Sequence, residues 1–275
     1  MTDRADRPKF PARLPTAAAH VPKAQQMAGL APKRIADSDF LVSPVGQKYQ
    51  ESKGRLPADG DFRSVRARMV RKLEEQGIRS PEVLAAMGKI ERHRFVDSGL
   101  VAQAYEDTSL PIGLGQTISK PSVVARMAEL LLGAPAASSG RLDRVLEIGT
   151  GCGYQAAVLA ELAREVYSIE RLRALHEKAR ENLRPFRLAN VHLLFGDGMA
   201  GFPKGAPYAG IIAAAGGQAL PTAWGDQLAI GARLVAPIVT QSGRQALIVL
   251  DRTAQGLASK QLEEVNFVPL KSGIA

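Results

Sequence analysis

Apolar residues along this chain change rhythm twice. Up to residue 60 they follow no sustained period, and seven of the chain's 17 prolines fall there among small polar residues. Residues 1–60 are therefore expected to form a disordered or extended arm and not a domain. A helical period begins next: Phe62, Val65, Met69 and Leu73 share one face, and Gln76-Gly77 supplies a stop. Ser80-Pro81-Glu82 reads as an N-cap with proline in the first turn, opening a second helix through about Gly88. These two helices are expected to cover the edge or face of a sheet, and a third, strongly apolar helix is expected over residues 122–132.

From Arg144 onward short apolar runs alternate with helical ones. The pattern predicts strands at 144–148, 165–169, 191–195, 208–213, 232–239, 245–250 and 262–268, with helices near 154–163, 171–183 and 221–228. Such alternation predicts an α/β fold, doubly wound around a mostly parallel, Rossmann-like sheet. The last strands follow one another with no long helix between them, so an antiparallel hairpin is expected at one end. The expected division is an arm over 1–60, a helical cover with a loop over 61–135, and an α/β core over 136–275.

Chemistry concentrates where the first core strand stops. Val145-Leu146-Glu147-Ile148 runs into Gly149-Thr150-Gly151-Cys152-Gly153, and Ala156-Ala157-Val158-Leu159-Ala160 resumes with helix formers. Glycines at such a turn let the backbone approach a ligand, and the N–H groups opening the next helix attract electron-rich groups. The second strand ends in Glu170, 21 residues beyond Gly149, where an acid at a strand tip reaches ribose hydroxyls. Spacing of the G-x-G-x-G type, with Glu147 just ahead, points away from a pyrophosphate and towards S-adenosylmethionine, which carries a ribose and no phosphate. Gly196-Asp197-Gly198 follows the third strand, on the same side of the sheet, where Asp197 is placed to accept a hydrogen bond from an adenine amino group.

Composition narrows the classes. In 275 residues, 45% hydrophobic and 23% charged content suits a globular protein with one core. Cys152 is the single cysteine, so neither an internal disulfide nor a multi-cysteine zinc site is available. His93, His176 and His192 have no metal spacing, and no metal is expected. The net charge is +9, of which the first 60 residues contribute +4 (ten Lys/Arg, six Asp/Glu). No dense basic block accompanies the 5% aromatic content, which argues against nucleic acid as a partner, whereas a basic balance attracts carboxylates. No apolar run is long enough for a membrane span, and Asp3 and Asp6 argue against a transit peptide, so a cytoplasmic protein is expected, acting as a monomer.

One further stretch, residues 105–121, is rich in turn formers and polar groups and is expected to be a functional loop. Within it lies Pro111-Ile112-Gly113, then Gly115-Gln116-Thr117-Ile118-Ser119-Lys120-Pro121. Together with residues 145–160, Gly196-Asp197-Gly198 and Val265-Asn266-Phe267-Val268-Pro269-Leu270, it resembles the protein-L-isoaspartate O-methyltransferases from about residue 64 to residue 270. The resemblance implies a seven-stranded methyltransferase sheet, S-adenosylmethionine as donor, and isoaspartyl-containing proteins and peptides as partners. The implied acceptor is the free α-carboxylate of an L-isoaspartyl residue, whose ester collapses to a succinimide that opens to normal aspartate.

On that resemblance Ser119 matches the active-site serine, and Gln116, Thr117 and Ile118 the adjoining loop over the cofactor. Glu147, Gly149, Thr150, Gly151 and Gly153 match the donor loop, Glu170 the ribose acid, and Gly196-Asp197 the adenine contact. The chain departs from the family pattern at Ala209, commonly acidic, at Asn266, often arginine, and at Gly216-Gly217-Gln218, where proline is common. Two other readings stand beside it: a cofactor-binding regulator that has lost activity, and a methyltransferase acting on a nucleic acid or a small molecule.

Overall fold

The computed structural model describes residues 62–137 and 140–275. The arm expected over 1–60 lies outside the described residues. Helix α1 (Arg63–Glu75) turns Met69 and Leu73 into the core. Helix α2 (Pro81–Lys89) begins at Ser80, whose hydroxyl accepts the Val83 N–H, and buries Val83, Ala86 and Met87. A Ser→Ala change at such a cap costs about 1 kcal/mol of stability.

The stretch expected to be a loop contains a small antiparallel hairpin, β1 (Leu110–Gly113) with β2 (Gln116–Ile118). Its turn takes positive φ at Gly113, Leu114 and Gly115. The turn formers that suggested a loop are those of a tight hairpin. Helix α3 (Pro121–Leu132) follows directly.

The main sheet then forms as β3 (Leu142–Ile148), α4 (Tyr154–Leu162), β4 (Ala163–Glu170), α5 (Arg173–Leu183), β5 (Val191–Phe195), β6 (Tyr208–Ala213), α6 (Thr222–Asp226), β7 (Leu228–Val239), β8 (Gln245–Thr253) and β9 (Gly256–Val265). Its order is β5-β4-β3-β6-β7-β8-β9. The first five strands in space run parallel, and β8 and β9 complete an antiparallel meander. Seven strands, the parallel core and the terminal hairpin all follow the expected pattern.

Hydrophobic periodicity explains the layering. Val145, Val166, Ile212 and Val235 face one side, under Met127 and Leu131 of α3 and Leu159 of α4. Leu146, Ile148, Ile169, Ile211 and Leu234 face the other, where Trp224 of α6 packs. Helix α4 is buried at every residue but Glu161, with α2 packed outside it, so its lack of a polar stripe is required by its position. Each fully buried Val or Leu there contributes about 1.5–3 kcal/mol.

The last strand corrects the expectation of 262–268: it starts at Gly256 and ends at Val265. Its first half is exposed, because an edge strand buries little, and so lacks apolar alternation. Residues 266–270 leave the sheet because other partners take their backbone. The Gln245 side chain donates to the Phe267 carbonyl and accepts the Phe267 N–H, and Gly216 exchanges bonds with Val268 and Leu270. Among the described residues no helix is long and apolar enough to cross a membrane.

Candidate functional site

The C-terminal ends of β3 and β4 define the site. At Gly149, Gly151 and Gly153 the backbone takes φ of 92°, 56° and 92°, a region that side chains other than glycine's resist. A Cβ on Gly151 would lie 3.2 Å from Ile112 Cδ1, so the β1–β2 hairpin reaches over the glycine loop. Glu170, at the tip of β4, accepts the Gly151 N–H through Oε2 and the Leu172 N–H through Oε1, both at 2.9 Å. Its carboxylate therefore ties the glycine loop to the start of α5.

Between hairpin and sheet lies a cleft of about 1150 Å³, counted to its open mouth. Gln116, Thr117, Ile118, Ser119, Gly149, Thr150, Gly151 and Glu170 all line it, bringing together eight of the twelve residues expected from the sequence. Glu147 and Gly153 stand behind this wall. The Gly153 N–H closes the turn onto the Thr150 carbonyl, and Glu147 is completely buried. Gly196 and Asp197 do not line the cleft, whereas Gly198 does. The Asp197 carboxylate accepts the Met199 N–H at 2.9 Å and the Gly273 N–H at 2.6 Å, capping a short turn and holding the segment that follows β9.

Behind the glycine loop runs a buried polar chain. The Thr150 hydroxyl lies 2.6 Å from the Ser168 hydroxyl, which donates to Glu147 Oε2 at 2.5 Å. Burial pushes the Glu147 carboxyl up to about 8, against the opposing pull of the Ser168 hydrogen bond. The Gln155 amide faces the same carboxyl and pulls it down as a hydrogen-bonding neighbour would, although neither its amide atoms nor Glu147 Oε1 reaches hydrogen-bond geometry with a described residue. Cys152 is also buried, and its thiol is raised to about 11 by burial. It fills a small-residue position in the loop and is held as an inert thiol.

A second cleft, of about 1610 Å³ to its mouth, opens on the other side of the hairpin's end. Asp107, Lys120, Arg126, Glu263 and Asn266 contribute to it, and Thr117, Ser119, Ala214 and Val268 line both clefts. Ser119 therefore sits at their junction, half-buried, and its hydroxyl makes no hydrogen bond to another described residue. The Asp107 carboxylate accepts the Ser122 N–H at 2.8 Å, and buried Arg92 donates from Nε to the Ala104 carbonyl at 2.7 Å. Those bonds, with the Arg92 guanidinium 4.8 Å from the Tyr154 ring centroid, anchor the chain leading into the hairpin.

Residues from 64 to 275 match the model of the family described as protein-L-isoaspartate(D-aspartate) O-methyltransferase. A protein-L-isoaspartate O-methyltransferase of Methylibium petroleiphilum is 53% identical over 274 residues, covering 97% of this chain and 96% of that relative. The chain belongs to the protein-L-isoaspartate O-methyltransferase family. Its namesake from Leptothrix cholodnii is 59% identical over 220 residues, covering 79% of this chain and 76% of its own. Among solved structures, a protein-L-isoaspartate O-methyltransferase matches with a TM-score of 0.67 at 29% identity, covering 76% of this chain and 67% of that one. A Plasmodium falciparum structure described as such an enzyme, in complex with S-adenosyl-L-homocysteine, shares the fold with a TM-score of 0.63 at 22% identity, covering 75% and 98%.

Placed on this methyltransferase fold, three parts of the cleft were not among the expected site residues, although Ile112 and Val268 to Leu270 belong to stretches that carry the resemblance. Ile112 and Leu114 come from the hairpin, Leu172 and Leu175 from the start of α5, and Val268 to Lys271 from the far end of the chain. Ile112, Leu172 and Leu175 look like ordinary core residues, Leu114 stands exposed in the hairpin turn, and the last group is held at the cleft by the Gln245 and Gly216 bonds. Of the three departures from the family pattern, Ala209 lies buried in β6, Asn266 lines the second cleft, and Gly216 takes part in the bridge that places residues 268–270.

Proposed function

We propose that the protein transfers a methyl group from S-adenosylmethionine to the free α-carboxylate of L-isoaspartyl residues in damaged proteins and peptides, initiating their repair. The observation that carries this reading is the position of Ser119 and Thr117 on the wall shared by two clefts. One cleft has the residues of a donor site. Its glycine loop leaves backbone open to close approach at Gly149 and Gly151, the Glu170 carboxylate stands at a strand tip where ribose hydroxyls are bound, and apolar Ile112, Leu172 and Leu270 suit a flat base. The other, about 1610 Å³ to its mouth, opens to solvent beside Lys120 and Asn266, on the side from which a peptide would approach.

When bound, S-adenosylmethionine supplies an electrophilic methyl on a positively charged sulfur. A carboxylic acid with a pKa of roughly 4 is ionised at neutral pH, so no side chain has to remove a proton before attack. What remains for the chain is placement. Ser119 donates a hydrogen bond to one acceptor oxygen and directs the other toward the donor cleft. Opposite charges are consumed in the transfer, so the β1–β2 hairpin, by keeping water from the junction, favours the reaction. Gly151 and Glu170 hold the donor side, while Asp107 and Arg92 keep the approach to the hairpin in place.

The reading extends to a cytoplasmic monomer that needs no nucleic acid. Both clefts are formed by one chain, and a single buried thiol suits a reducing compartment. The test is methyl transfer from radiolabelled S-adenosylmethionine to paired isoaspartyl and aspartyl peptides. Base-labile label on the isoaspartyl peptide alone is expected. Equal labelling of both peptides, or of neither, overturns the assignment.

A further inference from the structure

The acceptor-side cleft holds two cations, Lys120 and Arg126, and three carboxylates, Asp107, Glu263 and Glu264. Four of these five are committed within the fold. Arg126 Nε donates to Glu263 Oε1 at 2.9 Å and its Nη1 to Glu129 Oε2 at 3.3 Å. Glu264 accepts from Arg244 at 2.8 Å. Asp107 accepts the Ser122 N–H in the first turn of α3, where a negative charge is favoured. Lys120 differs from all of them. It is exposed, caps α3 only through its backbone carbonyl, and its ammonium has no hydrogen bond or ion pair among the described residues. It also follows Ser119 directly and lines the acceptor cleft but not the donor cleft.

We infer that Lys120 is the charge-recognition residue of the acceptor site, drawing the isoaspartyl carboxylate to the cleft through its uncommitted ammonium. The inference rests on the reaction proposed above and names how its substrate is selected. Methylation removes the acceptor's charge. A cation clamped on that carboxylate would therefore stabilise the bound substrate more than the transition state and slow the step. An ammonium on a flexible, hydrated four-carbon stem avoids this, attracting the anion without fixing it. The ester formed is neutral, so the same side chain does not retain the product. Lys120 is thus expected to set peptide KM and to leave kcat nearly untouched.

Steady-state kinetics of the full chain with saturating S-adenosylmethionine and an isoaspartyl peptide test this. At low ionic strength Lys120→Gln is expected to raise peptide KM roughly two- to fivefold, the range an exposed charge pair delivers, with kcat within about twofold. Lys120→Glu raises KM further, and Lys120→Arg restores it. At 1 M salt, where the screening length is about 3 Å, wild type and Lys120→Gln converge. An unchanged KM in Lys120→Gln, a difference that persists at 1 M salt, or failure of Lys120→Arg to restore KM overturns the inference. A wild-type protein that labels no isoaspartyl peptide removes the proposed reaction and this role with it, whereas an active Lys120→Gln with unchanged KM removes the role alone.

Discussion

Replacing Glu147 by glutamine probes the buried wall behind the glycine loop. The carboxyl titrates near 8 in the folded protein against an ordinary 4.5, chiefly because burial disfavours its charged form. Between those values the native state holds a proton that the unfolded chain has released. Unfolding free energy therefore falls as pH rises through that window. At about 1.4 kcal/mol per tenfold change in proton affinity, the full loss is roughly 5 kcal/mol, and roughly 4 kcal/mol of it falls between pH 5 and pH 8.5. The substituted amide would keep an oxygen to accept from Ser168 and place an NH2 group where Glu147 Oε1 has no partner, without any titration. All other groups titrate alike in both proteins, so the difference between them isolates this site. Urea unfolding at the two pH values should show Glu147→Gln gaining about 4 kcal/mol on wild type as pH rises. Parallel pH profiles would refute the claim that this carboxyl stays protonated in the native state.

Three further outcomes follow from the same geometry. Ser119→Ala should lower kcat by roughly ten- to a hundredfold while leaving S-adenosylmethionine affinity unchanged by calorimetry, since the acceptor oxygen loses its alignment with the donor methyl and a misplacement of about 1 Å carries a loss of that size; equal loss of both would place Ser119 on the donor side. Glu170→Ala removes the acceptor of two backbone N–H bonds and should weaken donor binding by on the order of tenfold or more, again read by calorimetry. With its thiol raised to about 11, Cys152 should stay unmodified by a thiol reagent at pH 8 in the native protein and react fully in urea.

Local chemistry made part of the site legible before the fold was known. The glycine loop, Glu170 at a strand tip and the Gln116–Ser119 run each carry their meaning in a few consecutive residues, and eight of the twelve expected residues meet in one cleft. Asp197 shows the limit of such inference. Its place after β5 was legible from strand order and its bond to Met199 is local, but its hydrogen bond to Gly273 depends on a segment 76 residues away. The β1–β2 hairpin was hidden for a different reason: the residues that make a tight turn are also those of a loop, and only pairing of Leu110 with Ile118 separates the two.

What the sequence determined alone is the periodicity: apolar runs long enough to be buried on both faces require a parallel sheet with helices on it, and three alternating glycines permit one sharply turned loop. What required tertiary structure is adjacency. Ser119 stands between two clefts because residues 266–270 are pulled off the sheet by Gln245 and Gly216 and laid beside the hairpin. The commitment of Arg126 to Glu263, 137 residues away, which leaves Lys120 as the acceptor-side cleft's cation without an ion pair among the described residues, was likewise invisible in the chain. Local patterns specify which backbone conformations are cheap, but which side chains satisfy one another across the sheet is decided only when the whole core closes.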